Sequence, residues 1–177
     1  VDIVDEYLST VNRQMLDYAD EHFSGGTMGS TVVTLIIRGH VGACLWVGDS
    51  RLYRLRNNEL QQMTRDHSQL EEMLALGMIT EEEIENHPNK NVITRAVGVE
   101  PYLYTDVCLF TAQLGDTYLL CSDGLYNTLT MPEIKSILTN NSSEYSAALL
   151  IRRSLEEGAR DNVSAIVVKG TIGRVNL

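Results

Sequence analysis

Two pairs of short β-rich runs constrain this chain most. Residues 30–38 and 41–47 meet at Gly39-His40, and residues 51–56 and 59–63 meet at Asn57-Asn58. A two-residue break leaves no room for a crossover helix, so each pair reads as an antiparallel hairpin. Gly and Asn also tolerate the positive φ that such turns demand. Residues 102–110 and 116–121 are again strands, with Gln113-Leu114-Gly115 turning between them, and 163–168 is a last apolar strand.

Helical signals stand before, between and after these strands. Residues 2–22 form an amphipathic helix in which Ile3, Val4, Tyr7, Val11, Met15, Tyr18 and Ala19 recur at three- and four-residue steps. That stripe calls for a cover, expected to be the sheet that follows. Residues 68–76 and 80–86 each open on a capping box, Ser68 with Glu71 and Thr80 with Glu83. They read as a helical insert over residues 67–91. His67 and His87 at its ends read as polar residues near helix termini, and His40 as an exposed turn residue. Thr130 with Glu133 starts a third capped helix, and residues 144–157 a longer one that stops at Gly158. Residues 171–177 read as a frayed tail. Some seven strands in meander-like hairpins with helices around them predict an α+β fold rather than alternating βαβ units.

At 177 residues the chain is expected to be a single domain. Its net charge of −10 argues against a nucleic-acid partner, since a phosphate backbone wants a basic patch. Cys44, Cys108 and Cys121 are odd in number, lack zinc spacing and fall in apolar runs, so they read as free thiols in a reducing compartment. No apolar run approaches membrane-spanning length and no signal peptide is visible, so no membrane partner and a cytoplasmic location are expected.

Function is suggested by where three acids fall. The run 117–121 ends abruptly in Ser122-Asp123-Gly124, which reads as a buried strand stopping at a tight turn. Gly48-Asp49-Ser50-Arg51 follows the strand 41–47, and Arg160-Asp161-Asn162 precedes the strand 163–168. Taken singly, each aspartate reads as a turn-capping residue. Three at strand ends are what a hard-cation site needs: oxygen donors held apart by rigid backbone.

These stretches, in this order, resemble the metal-dependent serine/threonine protein phosphatases of type 2C, the PPM family, in its bacterial form. Supporting stretches are Gly29-Ser30-Thr31, Thr64-Arg65-Asp66-His67-Ser68 and Ile93-Thr94-Arg95-Ala96-Val97-Gly98. The resemblance covers nearly everything from residue 29 to residue 169. It implies an α-β-β-α sandwich of two antiparallel sheets flanked by helices. It also implies phosphate-monoester hydrolysis by a metal-activated water, with two or three Mn²⁺ or Mg²⁺ ions in the complete site. By the same resemblance Asp123 and Asp161 are ligands of the central metals, and Asp49 with Asp123 holds a third. Gly124 belongs to the Asp123 motif, Asn162 supports the Asp161 turn, and Ser50 and Arg51 orient the Asp49 loop. The insert 67–91 is the family's flap, where substrate selection is expected.

The family's N-terminal strands, with an Asp-Gly-x-Gly-Gly stretch and a phosphate-gripping arginine, are absent from the sequence, so a fragment is expected. Phosphorylated proteins are the implied substrates and a serine/threonine kinase the implied partner. Residues 66–69 and 91–98 resemble the branch associated with type VI secretion, whose components are a further implied partner. The alternative reading is a non-catalytic phosphatase-like module that binds a kinase or phosphoprotein.

Overall fold

The computed structural model describes residues 1–84, 87 and 92–171. The end of the predicted helix 80–86, residue 91 and the predicted tail beyond residue 171 lie outside the described residues. The chain divides into two compact units, Val1–Val33 with Leu45–Ser50 and Arg65–Val107, and Thr34–Cys44 with Arg51–Thr64 and Cys108–Leu177.

The second unit is built on the predicted hairpins. Strand β2 (Ile36–Arg38) pairs antiparallel with β3 (Val41–Val47), Ile36 facing Ala43, around the turn at Gly39 and His40. Strands β4 (Arg51–Arg56) and β5 (Glu59–Gln62) pair with Arg56 facing Glu59. Asn57 and Asn58 between them carry φ of 49° and 61°, the positive pair that a type I′ turn requires. Strand β7 (Thr117–Cys121) lies against β4, with Arg51 facing Cys121, and β8 (Ala165–Lys169) lies on its other side. The antiparallel order is β5-β4-β7-β8.

Every residue of β7 is buried, as its unbroken apolar run demands. Tyr53, Leu55, Leu119 and Cys121 on this sheet pack with Leu125, Ile134, Leu138 and Leu150 from the helices after β7 and with Leu129 from the link between the first two of them. Each such side chain, fully buried, contributes about 2 kcal/mol from removal of apolar surface from water. Those helices are α4 (Asp123–Tyr126), α5 (Met131–Asn140) and α6 (Ser143–Glu156). The Thr130–Glu133 capping box forms as predicted, and Gly158 takes a φ of +83° just past α6. Asp116, ahead of β7, is buried and accepts from Arg56 at 2.7 Å, from the Tyr118 hydroxyl at 2.7 Å and from the Gln113 N–H at 2.8 Å.

The first unit begins with α1 (Asp2–His22), the predicted helix to the residue. Its buried face differs from the expected one. Ala19 is buried, and Val4 and Met15 are half-buried, but Ile3, Tyr7, Val11 and Tyr18 are exposed. The centre of the inward face is Asn12, whose side chain accepts from the Gly98 N–H at 2.7 Å and donates to the Glu100 carbonyl at 2.9 Å. A buried amide satisfied on both sides outweighs the apolar line one step around the helix. Strand β1 (Val32–Val33) pairs with the end of β3, Val32 facing Val47. The single strand predicted over residues 30–38 is thus broken in two between Val33 and Ile36, which brings the strand count to eight among the described residues. Helices α2 (Gln69–Ala75) and α3 (Glu81–Ile84) stand where the insert was predicted, with the Ser68 hydroxyl accepting from the Glu71 N–H.

The eighth strand, β6 (Asp106–Thr111), starts later than predicted, runs from the first unit into the second and pairs with β3. With β1, β2 and β3 it makes the second of two four-stranded sheets, so the fold is α+β with two antiparallel sheets and flanking helices. Cys44 and Cys121 are buried, Cys108 is half-buried and none forms a disulfide. Burial pushes the Cys44 thiol up to about 12, which makes it an inert apolar filler.

Candidate metal centre

The site is built in the second unit from two turns that interlock. Strand β7 ends at Cys121, and the chain enters the single turn α4 at Asp123. The predicted tight turn is therefore a short helix, with half-buried Asp123 as its first residue. The other turn, Asp161 to Ser164, comes just before β8, which starts two residues later than the strand predicted over 163–168.

Ser122 rivets the two turns together. Its N–H donates to the Ser164 carbonyl at 3.2 Å. Its hydroxyl donates to the Asn162 carbonyl at 3.2 Å and accepts from the Ser164 N–H at 3.0 Å. Gly124 completes the fit, since a Cβ there would stand 2.5 Å from the Asn162 carbonyl oxygen and 3.4 Å from that of Asp161. The Ser-Asp-Gly sequence thus has one task per residue: serine to tie, aspartate to present a carboxylate, glycine to let the second backbone come close. Asp161 is exposed, and its Oδ1 accepts from the Asn162 N–H at 2.7 Å. Asn162 supports that turn through its backbone, as donor to Asp161 and acceptor from Ser122.

Arg51 opens β4 opposite Cys121. Its guanidinium donates to the Tyr53 hydroxyl at 2.9 Å and lies 3.5 Å over the ring of Tyr126, the last residue of α4. It therefore buttresses the Asp123 turn.

Asp49 lies in the first unit, half-buried, two residues past the end of β3. Gly48 before it has φ of +103°, and a Cβ there would meet Thr31 Cβ at 2.7 Å. Ser50 after it shares a 2.9 Å hydrogen bond with the Thr31 hydroxyl. The Gly48 backbone is held on both sides by His67: the Gly48 N–H donates to His67 Nδ1 at 3.1 Å, and the His67 N–H donates to the Gly48 carbonyl at 3.0 Å. His67 is only 6% exposed, and the indole of Trp46 stacks on its ring at 6.0 Å. Burial pushes the His67 pKa down and the Arg95 guanidinium adds to that, against the upward pull of Asp106. Sequence reasoning gave His67 no task. The only signal was its place in the Asp66-His67-Ser68 stretch; its partner Gly48 is 19 positions away and found only by the fold.

Asp123 and Asp161 are hard oxygen donors on rigid turns, so in kind they fit Mg²⁺ or Mn²⁺. In number they fall short of a full set: among the described residues no three His, Cys, Asp or Glu side chains form a group able to hold a metal ion.

Comparison with known proteins agrees with this architecture. No family model matches the chain. It is 38% identical to the serine/threonine phosphatase stp of Listeria welshimeri, across 92% of this chain and 65% of that protein. PppA, described as a key regulatory component of the type VI secretion system in Pseudomonas aeruginosa, superposes with a TM-score of 0.83 at 39% identity, over 92% of this chain and 66% of that one. The catalytic domain of the serine/threonine protein phosphatase PstP, solved with two manganese ions, superposes with a TM-score of 0.81 at 30% identity, over 91% of this chain and 67% of that one. The chain therefore belongs to the PPM family of metal-dependent serine/threonine protein phosphatases. It spans about 65% of the length of the Listeria phosphatases it matches. No helix among the described residues is long and apolar enough to cross a membrane.

Proposed function

We propose that the protein to which this chain belongs removes phosphate from phosphoserine and phosphothreonine in proteins. One observation carries the reading: the interlocked Asp123 and Asp161 turns, in a chain whose relatives are named as phosphatases. Those names favour an enzyme over a binding module.

Divalent cations, when bound, supply a water of lowered pKa and offset the charge on the phosphoryl oxygens. Asp123 and Asp161 are the residues that would hold the central ions, and Asp49 belongs to the site of a further one. The manganese bound to PstP supports Mn²⁺, and the oxygen donors suit Mg²⁺ equally. The chain's other residues orient. Ser122 and Gly124 fix the two turns against each other, Arg51 holds α4, and Ser50 ties the Asp49 loop to Thr31. The insert 67–91 selects the substrate.

Phosphorylated proteins and the serine/threonine kinase that opposes the enzyme are the proposed partners. The likeness to PppA supports type VI secretion components among them. Thiols that form no disulfide support action in the reducing cytoplasm.

The test is release of phosphate from a phosphothreonine peptide in Mn²⁺, by this chain and by a form of the relatives' full length. The longer form is expected to turn over, and a chelator or Asp123→Asn to abolish it. Silence from both forms sinks the enzyme reading.

A further inference from the structure

We propose that His67 is a positioning residue for Asp49, holding the preceding Gly48 peptide through a neutral ring protonated at Nε2. The inference rests on the phosphatase reading for what Asp49 does, but the positioning itself is argued from geometry.

Three observations converge. First, the Gly48 N–H donates to Nδ1, so Nδ1 must be the unprotonated nitrogen. The ring proton of a neutral imidazole then sits on Nε2, which faces Asp106 Oδ2 at 3.4 Å. Second, that far side is itself organised. Arg95 Nη1 lies 2.9 Å from Asp106 Oδ1 and 3.5 Å from His67 Nε2. With the proton on Nε2, Arg95 donates to Asp106, and Asp106 is left as acceptor for the imidazole. Third, the loop sequence permits its shape without fixing it. Gly48 is in the left-handed region and packs against Thr31. Glycine reaches a positive φ without strain but has no preference for it, so contacts from outside the loop must select this conformation. His67 makes that selection by taking both the N–H and the carbonyl of Gly48.

The arrangement also links the Asp49 loop to the insert. The His67 carbonyl accepts from the Thr94 N–H at 2.8 Å, next to the bridge between Ser68 and Ile93. Ser68 caps α2. One residue thus joins the loop before the acid to the start of α2 and to Thr94, beside the 67–91 insert where substrate selection is proposed.

The test uses the 177-residue chain, its His67→Leu and His67→Asn variants and amide hydrogen exchange, a readout that needs neither metal nor turnover. Leucine removes the acceptor; the asparagine side-chain oxygen can stand where Nδ1 stood. Loss of that bond is expected to speed exchange of the Gly48, Asp49 and Ser50 amides about tenfold in His67→Leu, with recovery in His67→Asn. Ring ¹⁵N shifts of the unsubstituted chain are expected to show a bare Nδ1 and a protonated Nε2, which holds the test even if His67→Leu fails to fold. A proton on Nδ1, or loop exchange in His67→Leu that rises no more than in the rest of the first unit, overturns the proposal. Mn²⁺-induced broadening at Asp49 is followed in parallel. If broadening is absent while the exchange result holds, the metal role of Asp49 falls and the positioning stands.

Discussion

The Asp123 and Asp161 turns and the Asp49 loop present the same chemistry, a carboxylate at a strand end, but are secured in different ways. In the first pair the restraints are adjacent to the acids: Ser122 precedes Asp123, Gly124 follows it, and Asn162 follows Asp161. In the Asp49 loop the main restraint is the ring and backbone of His67, on another segment. Restraint by the acids' own neighbours is robust, because pairing of β7 with β8 brings it along. Remote restraint lets another element act on the acid, since whatever moves residues 67–68 also moves the Gly48 peptide.

The largest expected effect lies outside both loops and serves as their control. Asp116→Ala leaves Arg56 and Tyr118 without their buried acceptor and should cost about 3 kcal/mol in denaturant unfolding. Burial by itself would raise the Asp116 pKa, but Arg56, the Gln113 N–H and the Tyr118 hydroxyl hold it down at about 2, against an ordinary value of 3.8. Because the folded value is the lower one, its contribution of about 2 kcal/mol is present above pH 4 and lost as pH falls from about 4 to about 2. Acid unfolding that is unchanged in Asp116→Asn would remove this node as the control.

Gly124→Ala comes next. A methyl group 2.5 Å from a carbonyl oxygen forces the turns apart, and a loss of about 2 kcal/mol is expected, with weaker Mn²⁺ binding in the form of the relatives' full length. A cost under about 0.5 kcal/mol would mean that the interlock is looser than its geometry. Ser122→Ala removes two hydrogen bonds of the same interlock and should cost about 1 to 2 kcal/mol, read from the shift in unfolding midpoint at constant slope. The comparison is broken if Ser122→Ala loosens the Asp49 loop, by amide exchange, as much as it loosens the Asp161 turn. The smallest effect is expected from Thr130→Ala, which opens the capping box of α5 at about 1 kcal/mol and should leave both loops unchanged.

Much of this could be read from local sequence. The helix 2–22, strands 41–47, 51–56 and 117–121 and the turn at Asn57-Asn58 follow from periodicity, apolar runs and residues that tolerate positive φ. The inward face of α1 could not be read this way, because Asn12 is buried for partners at Gly98 and Glu100, far along the chain. Nor could the break between β1 and β2, since residues 30–38 are uniformly β-prone and only pairing with β3 shows where the ladder lapses.

The candidate site divides along the same line. Neighbouring residues were enough to show which positions carry carboxylates at strand ends, because a strand that stops at Ser-Asp-Gly or starts after Asp-Asn is a local matter of backbone and side-chain size. The tertiary structure alone decided what holds those carboxylates in place. Ser122 meets Asn162 and Ser164, Arg51 meets Tyr126, and His67 meets Gly48 only after strands have paired, and a hydrogen bond between distant segments leaves no periodicity in a sequence.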